Sequence, residues 1–145
     1  MINKFREITG VPILLNTSFN NNVEPIVDST EDAIVCYLTT QLNYLVIGDF
    51  IIKKKDFMVT LGELKLSKLP YVVTEERNGL FQIYFNYSYT KKLPISKFLF
   101  HFLINLDESK AINSQLPLNL NQENKQDFIK EIYGLWCNRA IKLAP

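Results

Sequence analysis

Asn78-Gly79 stands between "YVVTEER" and "LFQIYF", two runs rich in β-branched and aromatic residues. Glycine accepts positive φ freely and asparagine does so better than most residues, so a tight reversal costs little there. The arrangement predicts an antiparallel hairpin, with Glu75, Glu76 and Arg77 as a solvated tip. The next run, "PISKFLFHFLINL", changes period. Ile95, Phe98, Leu99, Phe102, Leu103 and Leu106 recur at i, i+3, i+4, i+7, i+8 and i+11, and Pro94 precedes the first turn, so a helix is expected. A polar segment rich in Asn and Gln, 113–124, leads to a last helix whose stripe is Phe128, Ile132, Leu135 and Trp136, with Trp136 as a core anchor. A closing apolar segment, "LWCNRAIKLAP", ends the chain. Hairpin, helix, linker and helix make a small α+β module over residues 56–145, in the element order of a winged-helix-like unit. By analogy of order, such a unit holds a peptide along a sheet edge; the competing reading is a packing or dimerisation module.

Residues 1–55 read differently. The first nine resemble the end of a helix, with Phe5 and Ile8 on one face and Gly10 as its stop. "VPILL" is expected to be a short buried strand with Pro12 at its start, where no ladder donor is needed. The polar stretch "NTSFNNNVEPIV" follows as a loop. "DSTEDAIVCYLTT" predicts a helix capped by Ser29 or Thr30, with Glu31 and Asp32 at the positive end of its dipole. Ala33, Ile34, Tyr37 and Leu38 should face inward. "YLVIGDFIIKK" returns as a strand interrupted at Gly48-Asp49. A boundary is expected between 53 and 60. The first segment is barely large enough to fold alone, so it should lean on the second, on another copy, or on part of a larger protein.

Composition narrows the function classes. A net charge of +1 over 145 residues, 47% of them hydrophobic, suits a globular domain and excludes the concentrated basic face of a nucleic-acid binder. Lys53-Lys54-Lys55 reads as a strand end or solvated edge. Cys36 and Cys137 lack metal-ligand spacing and read as reduced, core-filling thiols, with one long-range disulfide as the alternative. The longest nearly apolar stretch, "FLFHFLINL", is about half of the ~20 residues a membrane span needs. The expectation is a soluble cytoplasmic protein. His101, the single histidine, shares a face with Lys97, Asn105 and Glu108 and should be solvated, so no metal site and no catalytic residue are assigned.

The chemistry sits in the polar loop. Ser and Asn side chains offer donors and acceptors, and a loop after a strand adds free backbone N–H groups, enough to hold phosphate oxygens, a ribose or a carbamoyl amide. Residues 11–30 contain no Lys and no Arg. Activating a phosphorylated substrate requires positive charge or a metal. Alone, the loop can be one wall of a site.

The order Thr9-Gly10-Val11-Pro12, Asn16-Thr17-Ser18-Phe19-Asn20, Glu24-Pro25-Ile26-Val27, Glu31-Asp32-Ala33 and Ile47-Gly48-Asp49-Phe50 resembles the C-terminal end of nodulation-type and antibiotic-type O-carbamoyltransferases. The likeness covers residues 5–54. It implies a large two-part enzyme: a metal-binding transferase part related to actin-like ATPases, and a part similar to threonylcarbamoyl-AMP synthases. Residues 1–55 would then be a strand-loop-helix-strand remnant of the synthase-like part. In such enzymes carbamoyl phosphate and ATP give carbamoyl-adenylate, whose carbamoyl group passes to a hydroxyl of a natural product. The resemblance places Ser18 and Asn20 in the nucleotide and carbamoyl pocket, with Asn16 and Thr17 beside them. It implies ATP with magnesium as part of a complete enzyme, none held tightly here, and an upstream transferase chain or self-association as partner.

Three departures count against chemistry by this chain alone. Val23 stands for the family's glycine and Asn22 for its usual arginine. The family's phosphate-embracing cations lie upstream of the matching residues, and its histidine-rich metal site has no counterpart here. The expectation is a portion of a carbamoyltransferase that does not turn over by itself. The alternative is a binding or scaffold module, peptide-recognising in one form, that keeps the family fold without its activity.

Overall fold

The computed structural model describes residues 1–21 and 23–145, with the side chains of Tyr89 and Thr90 left aside. Asn22, where the resemblance expects an arginine, lies outside the described residues. The architecture is α+β. Helices α1 (Ile2–Thr9) and α2 (Thr30–Leu38) precede the hairpin β1 (Tyr44–Ile47) and β2 (Phe50–Lys53). A single turn, α3 (Met58–Leu61), leads to β3 (Lys65–Lys68) and the meander β4 (Val72–Arg77), β5 (Leu80–Phe85) and β6 (Ser88–Pro94). Helix α4 (Lys97–Ile104), a 3₁₀ turn at Ile112–Gln115, helix α5 (Gln122–Cys137) and strand β7 (Ile141–Ala144) complete the order.

Asn78 and Gly79 form the expected reversal, at φ 54° and 76°, and set the β4–β5 register from Val72 opposite Phe85 to Arg77 opposite Leu80. The closing segment returns as β7 to pair antiparallel with β3, Lys65 opposite Ala144. The polar interruption at Gly48-Asp49 is a full reversal, because Gly48 takes φ 55° and brings Ile47 opposite Phe50. Ser96 caps α4 by accepting from the Leu99 N–H at 3.1 Å. Glu131 of α5 holds that cap, accepting from the Ser96 backbone N–H at 2.9 Å and its hydroxyl at 2.6 Å.

The main core runs from Leu61 to Ile141, with α4, α5 and the meander contributing Ile83, Leu99, Leu103, Phe128, Ile132 and Trp136. Before Leu61, the described apolar residues that are fully covered are Ala33, Cys36, Tyr37 and Leu45. Val35 and Leu38 of α2 pack against the main core and join the two segments. Tyr37 locks α2 to the hairpin, its hydroxyl 3.1 Å from the carbonyls of Asn43 and Ile52.

Two expectations are corrected here. Helix α2 turns Ala33, Cys36 and Tyr37 inward, the i, i+3, i+4 set, and leaves Ile34 at the surface. Residues 11–15 are neither a strand nor buried: Ile13 is 71% exposed and Leu15 91%. A strand persists only with a hydrogen-bonding neighbour. None of the three sheets takes residues 11–15 as a member. The described form of the first segment is therefore helix, coil, loop, helix and hairpin.

Candidate functional site

The asparagines of the polar stretch first build the loop itself. The Val27 N–H donates to the Phe19 carbonyl at 3.0 Å and closes residues 19–27. Asn20 Nδ2 donates to the carbonyls of Asn21 and Glu24, at 3.0 and 3.2 Å. Asn21 Oδ1 accepts from the Val23 N–H at 2.8 Å, the local side-chain turn that asparagine favours. Glu24 Oε1 accepts from the Asn21 N–H at 3.0 Å. Part of the asparagine content is turn chemistry.

Three of the four predicted site residues do come together. Thr17, Ser18 and Asn20 share with Phe19, Thr40 and Gln41 an open depression of about 370 Å³. Asn16 is exposed and stands outside its lining. No lysine or arginine lines this depression. Its donors and acceptors suit an amide or a ribose, while a triphosphate requires cations the wall does not supply. The residues present do not fit ATP with magnesium by themselves. Among the described residues no three of His, Cys, Asp or Glu gather as metal ligands.

A cation stands close by. Gln41 also lines a second depression, of about 340 Å³, with Lys53 and Lys54. Lys54 departs from the solvated edge expected of the lysine run. Its side chain is half-buried, its amine donates to the Thr40 carbonyl, and it lies 5.0 Å from the centre of the Tyr37 ring. Burial pulls its pKa below the usual lysine value, with Cys137 opposing. Lys53 and Lys55 are exposed as expected.

The most shielded ion pair among the described residues was not legible in the sequence. Arg139 Nε donates to Glu24 Oε2 at 2.6 Å, and Nη2 lies 2.5 Å from the same oxygen, off the hydrogen-bonding axis. The two side chains are 17% and 14% exposed, so solvent screens the pair far less than a surface one. Arg139 Nη1 donates to Thr39 Oγ1 and to the Trp136 carbonyl, each at 3.1 Å. Glu24 lies inside the quoted motif, but nothing local ties it to a residue 115 positions later.

Two thiols border this pair. Cys36 is fully buried and its pKa is pushed up to about 11, first by burial and then by its hydrogen bond to Glu24 and that group's charge. Burial also raises Cys137, against the opposing pull of its hydrogen bond with Tyr133. A thiol held protonated at neutral pH is a poor nucleophile. Both are free, as the sequence suggested, and they fill space at the junction of the two segments. His101 is exposed, as expected, with Phe81 and Phe100 beside its ring. A larger cavity, about 440 Å³ between α3 and α5, is lined by none of the predicted residues.

Residues 1–54 match the family model described as carbamoyltransferase C-terminus. Over those residues the chain is similar to the C-terminal segment of carbamoyltransferases. Likeness to known proteins does not stop there. The nodulation protein NolNO of Sinorhizobium fredii is 39% identical over 156 aligned positions, covering the whole chain and 23% of that protein. The nodulation protein NolO of Bradyrhizobium diazoefficiens is 33% identical, again over the whole chain and 28% of its own length. An uncharacterized protein of Synechocystis is 41% identical over 54 residues, 37% of the chain and 9% of that protein. The chain thus spans about a quarter of the nodulation proteins it matches. Their alignments include residues 56–145, beyond the reach of the motifs quoted from residues 5–54. No helix among the described residues is long and apolar enough to cross a membrane.

Proposed function

We propose that this chain supplies one wall of the carbamoyl-adenylate pocket of a nodulation-type carbamoyltransferase and is not catalytic alone. In that reaction water cleaves carbamoyl phosphate to carbamate and inorganic phosphate, and a carbamate oxygen then attacks the α-phosphorus of ATP, forming carbamoyl-adenylate as pyrophosphate leaves. The carbamoyl group then passes to a hydroxyl of a natural product and AMP leaves. Thr17, Ser18 and Asn20 are the residues offered to the ribose or the carbamoyl amide, with Asn16 at the margin. Cations from the rest of the enzyme, and magnesium with the ATP, complete the phosphate side. Two free thiols suit the reducing cytoplasm.

One observation carries this reading. The segment matching the carbamoyltransferase family leaves many apolar residues uncovered: Val11, Ile13, Leu14, Leu15 and Ile26, with Val46, Phe50 and Ile51 on the hairpin. Apolar side chains left exposed in consecutive positions, as at 13–15, mark a contact face. The occupant we assign to it is the remainder of a nodulation-type carbamoyltransferase, the three quarters of such a protein that this chain does not span.

The test is pyrophosphate release with ATP, magnesium and carbamoyl phosphate. The purified chain alone is expected to release none, and reconstitution with the missing portion is expected to restore turnover that Ser18→Ala and Asn20→Ala weaken. Turnover by the isolated chain would overturn the proposal. A second reading, a binding or scaffold module, is favoured by the internal use of the Asn20 amide as a loop tie. It requires both alanine variants to leave carbamoyl transfer unchanged.

A further inference from the structure

The ion pair between Glu24 and Arg139 joins two parts of the chain with different standing. Glu24 lies in the loop of the carbamoyltransferase C-terminal segment, whereas Arg139 follows α5, outside residues 1–54. The carboxylate is fully committed. Oε1 takes the Asn21 N–H and Oε2 takes the Arg139 guanidinium. The guanidinium is fixed in turn by Thr39 at the end of α2 and by the Trp136 carbonyl in the last turn of α5. Its planar fork therefore spans three elements, a task a flexible point charge performs less well.

The backbone of Arg139 gives independent support. It takes φ 55° immediately after the α5 cap, where its N–H donates to the Trp136 carbonyl at 3.0 Å and the Ala140 N–H donates to Leu135 at 2.9 Å. That left-handed position past a helix end is ordinarily glycine, because a side chain there is strained. The turn itself has no need of a guanidinium. A strained residue that also makes a shielded ion pair to a distant loop points to a role for its side chain.

We infer that Arg139 is a positioning residue: through Glu24 it braces the 19–27 loop, so that the 56–145 module sets the geometry of the depression lined by Thr17, Ser18 and Asn20. The Asn20 amide hangs on the Glu24 carbonyl and the Asn21 N–H on the Glu24 carboxylate. Loss of the guanidinium frees both anchors together. The functional meaning of the brace rests on the pocket reading above, while the brace itself does not.

Hydrogen exchange on the 145-residue chain, without nucleotide, tests this. Arg139→Gly keeps the left-handed turn and removes only the side chain, so the fold should survive. The amides of Asn21, Val23 and Val27 are expected to exchange roughly tenfold faster, the factor that losing a charge-assisted hydrogen bond corresponds to. The amides of Ile129 to Leu135 in α5 should keep their wild-type rates. Arg139→Lys, which restores a positive charge, should move the loop rates back toward wild type. Unchanged loop exchange in Arg139→Gly, equal acceleration in α5, or no recovery in Arg139→Lys would overturn the inference. Failure of the pocket reading would appear elsewhere, in pyrophosphate release by the reconstituted enzyme, and leaves these exchange rates untouched.

Discussion

The Tyr133 hydroxyl donates to the Leu38 carbonyl at 3.1 Å, across 95 positions of sequence. Leu38 ends α2, where carbonyls lack helical partners, so a residue of α5 completes a helix of the other segment. We predict that Tyr133→Phe, which keeps the edge contacts to Phe57 and Trp136, lowers stability by about 1 kcal/mol. Burial first, and Cys137 second, push the Tyr133 pKa up to about 12. A pKa raised by folding gives stability that is whole below the unfolded value near ~10 and is lost as pH rises through the folded one. Denaturant titrations of wild type and Tyr133→Phe between pH 9 and 12 check this (an alkaline range chosen as roughly bracketing the two values). Identical alkaline slopes in the two proteins would refute the assignment.

Cys36 has the same sign at a lower pH. Its buried thiol titrates at about 11 rather than at the ordinary 9.0, so its share of stability is complete below the ordinary value and disappears as pH climbs through the raised one. The expectation is that a thiol reagent at mildly alkaline pH labels Cys36 only as fast as the chain unfolds, while guanidinium exposes both thiols at once. Rapid labelling of Cys36 in the native protein would contradict its burial.

What the sequence disclosed, and what it withheld, divide by range. Asn78-Gly79 and the Ser29 cap act within a few residues, so their spelling predicts their geometry. The α4 stripe named Leu99 and Leu103 as core, yet Phe100 is also covered, its ring 4.9 Å from Phe81. Helix α4 touches both the meander and α5, so more than one stripe is buried, and periodicity alone cannot say how many partners a helix has. "VPILL" says that burial is wanted and not against what. For the candidate site, Thr17, Ser18 and Asn20 were readable from the motif because they are neighbours in sequence. Arg139 and Lys54 were not, since a long-range ion pair or a carbonyl contact leaves no periodic trace.

Gly62 and Asn113 are in closer contact than any side chain at 62 would permit. A Cβ there would lie 2.3 Å from Asn113 Oδ1, and Asn113 is anchored by Nδ2 donating to Glu63 at 2.7 Å and its N–H donating to Gly62 at 2.8 Å. Gly62→Ala is therefore expected to swing the amide away from Glu63 and to cost about 1–3 kcal/mol. Asn113→Ala removes the obstacle together with a buried acceptor that has no partner, so the double variant should be more stable than the sum of the singles implies. Strict additivity in thermal unfolding of the four proteins would show that the contact is not the cause.

The uncovered run at 11–15 makes the sharpest demand. In a chain that buries Leu15, a lysine in its place would cost several kcal/mol; here Leu15 is 91% exposed, and surface substitutions away from special features stay within about 0.5 kcal/mol. Leu15→Lys and Ile13→Lys should consequently leave the unfolding midpoint of the isolated chain where it is. If the face docks onto the remainder of a carbamoyltransferase, the same lysines should abolish that association, because each would carry an unpaired charge into an apolar contact. The two measurements must diverge for the account to hold. A lysine at 15 that unfolds the isolated chain would mean that this run is already packed, and one that leaves reconstitution intact would mean that the contact face lies elsewhere.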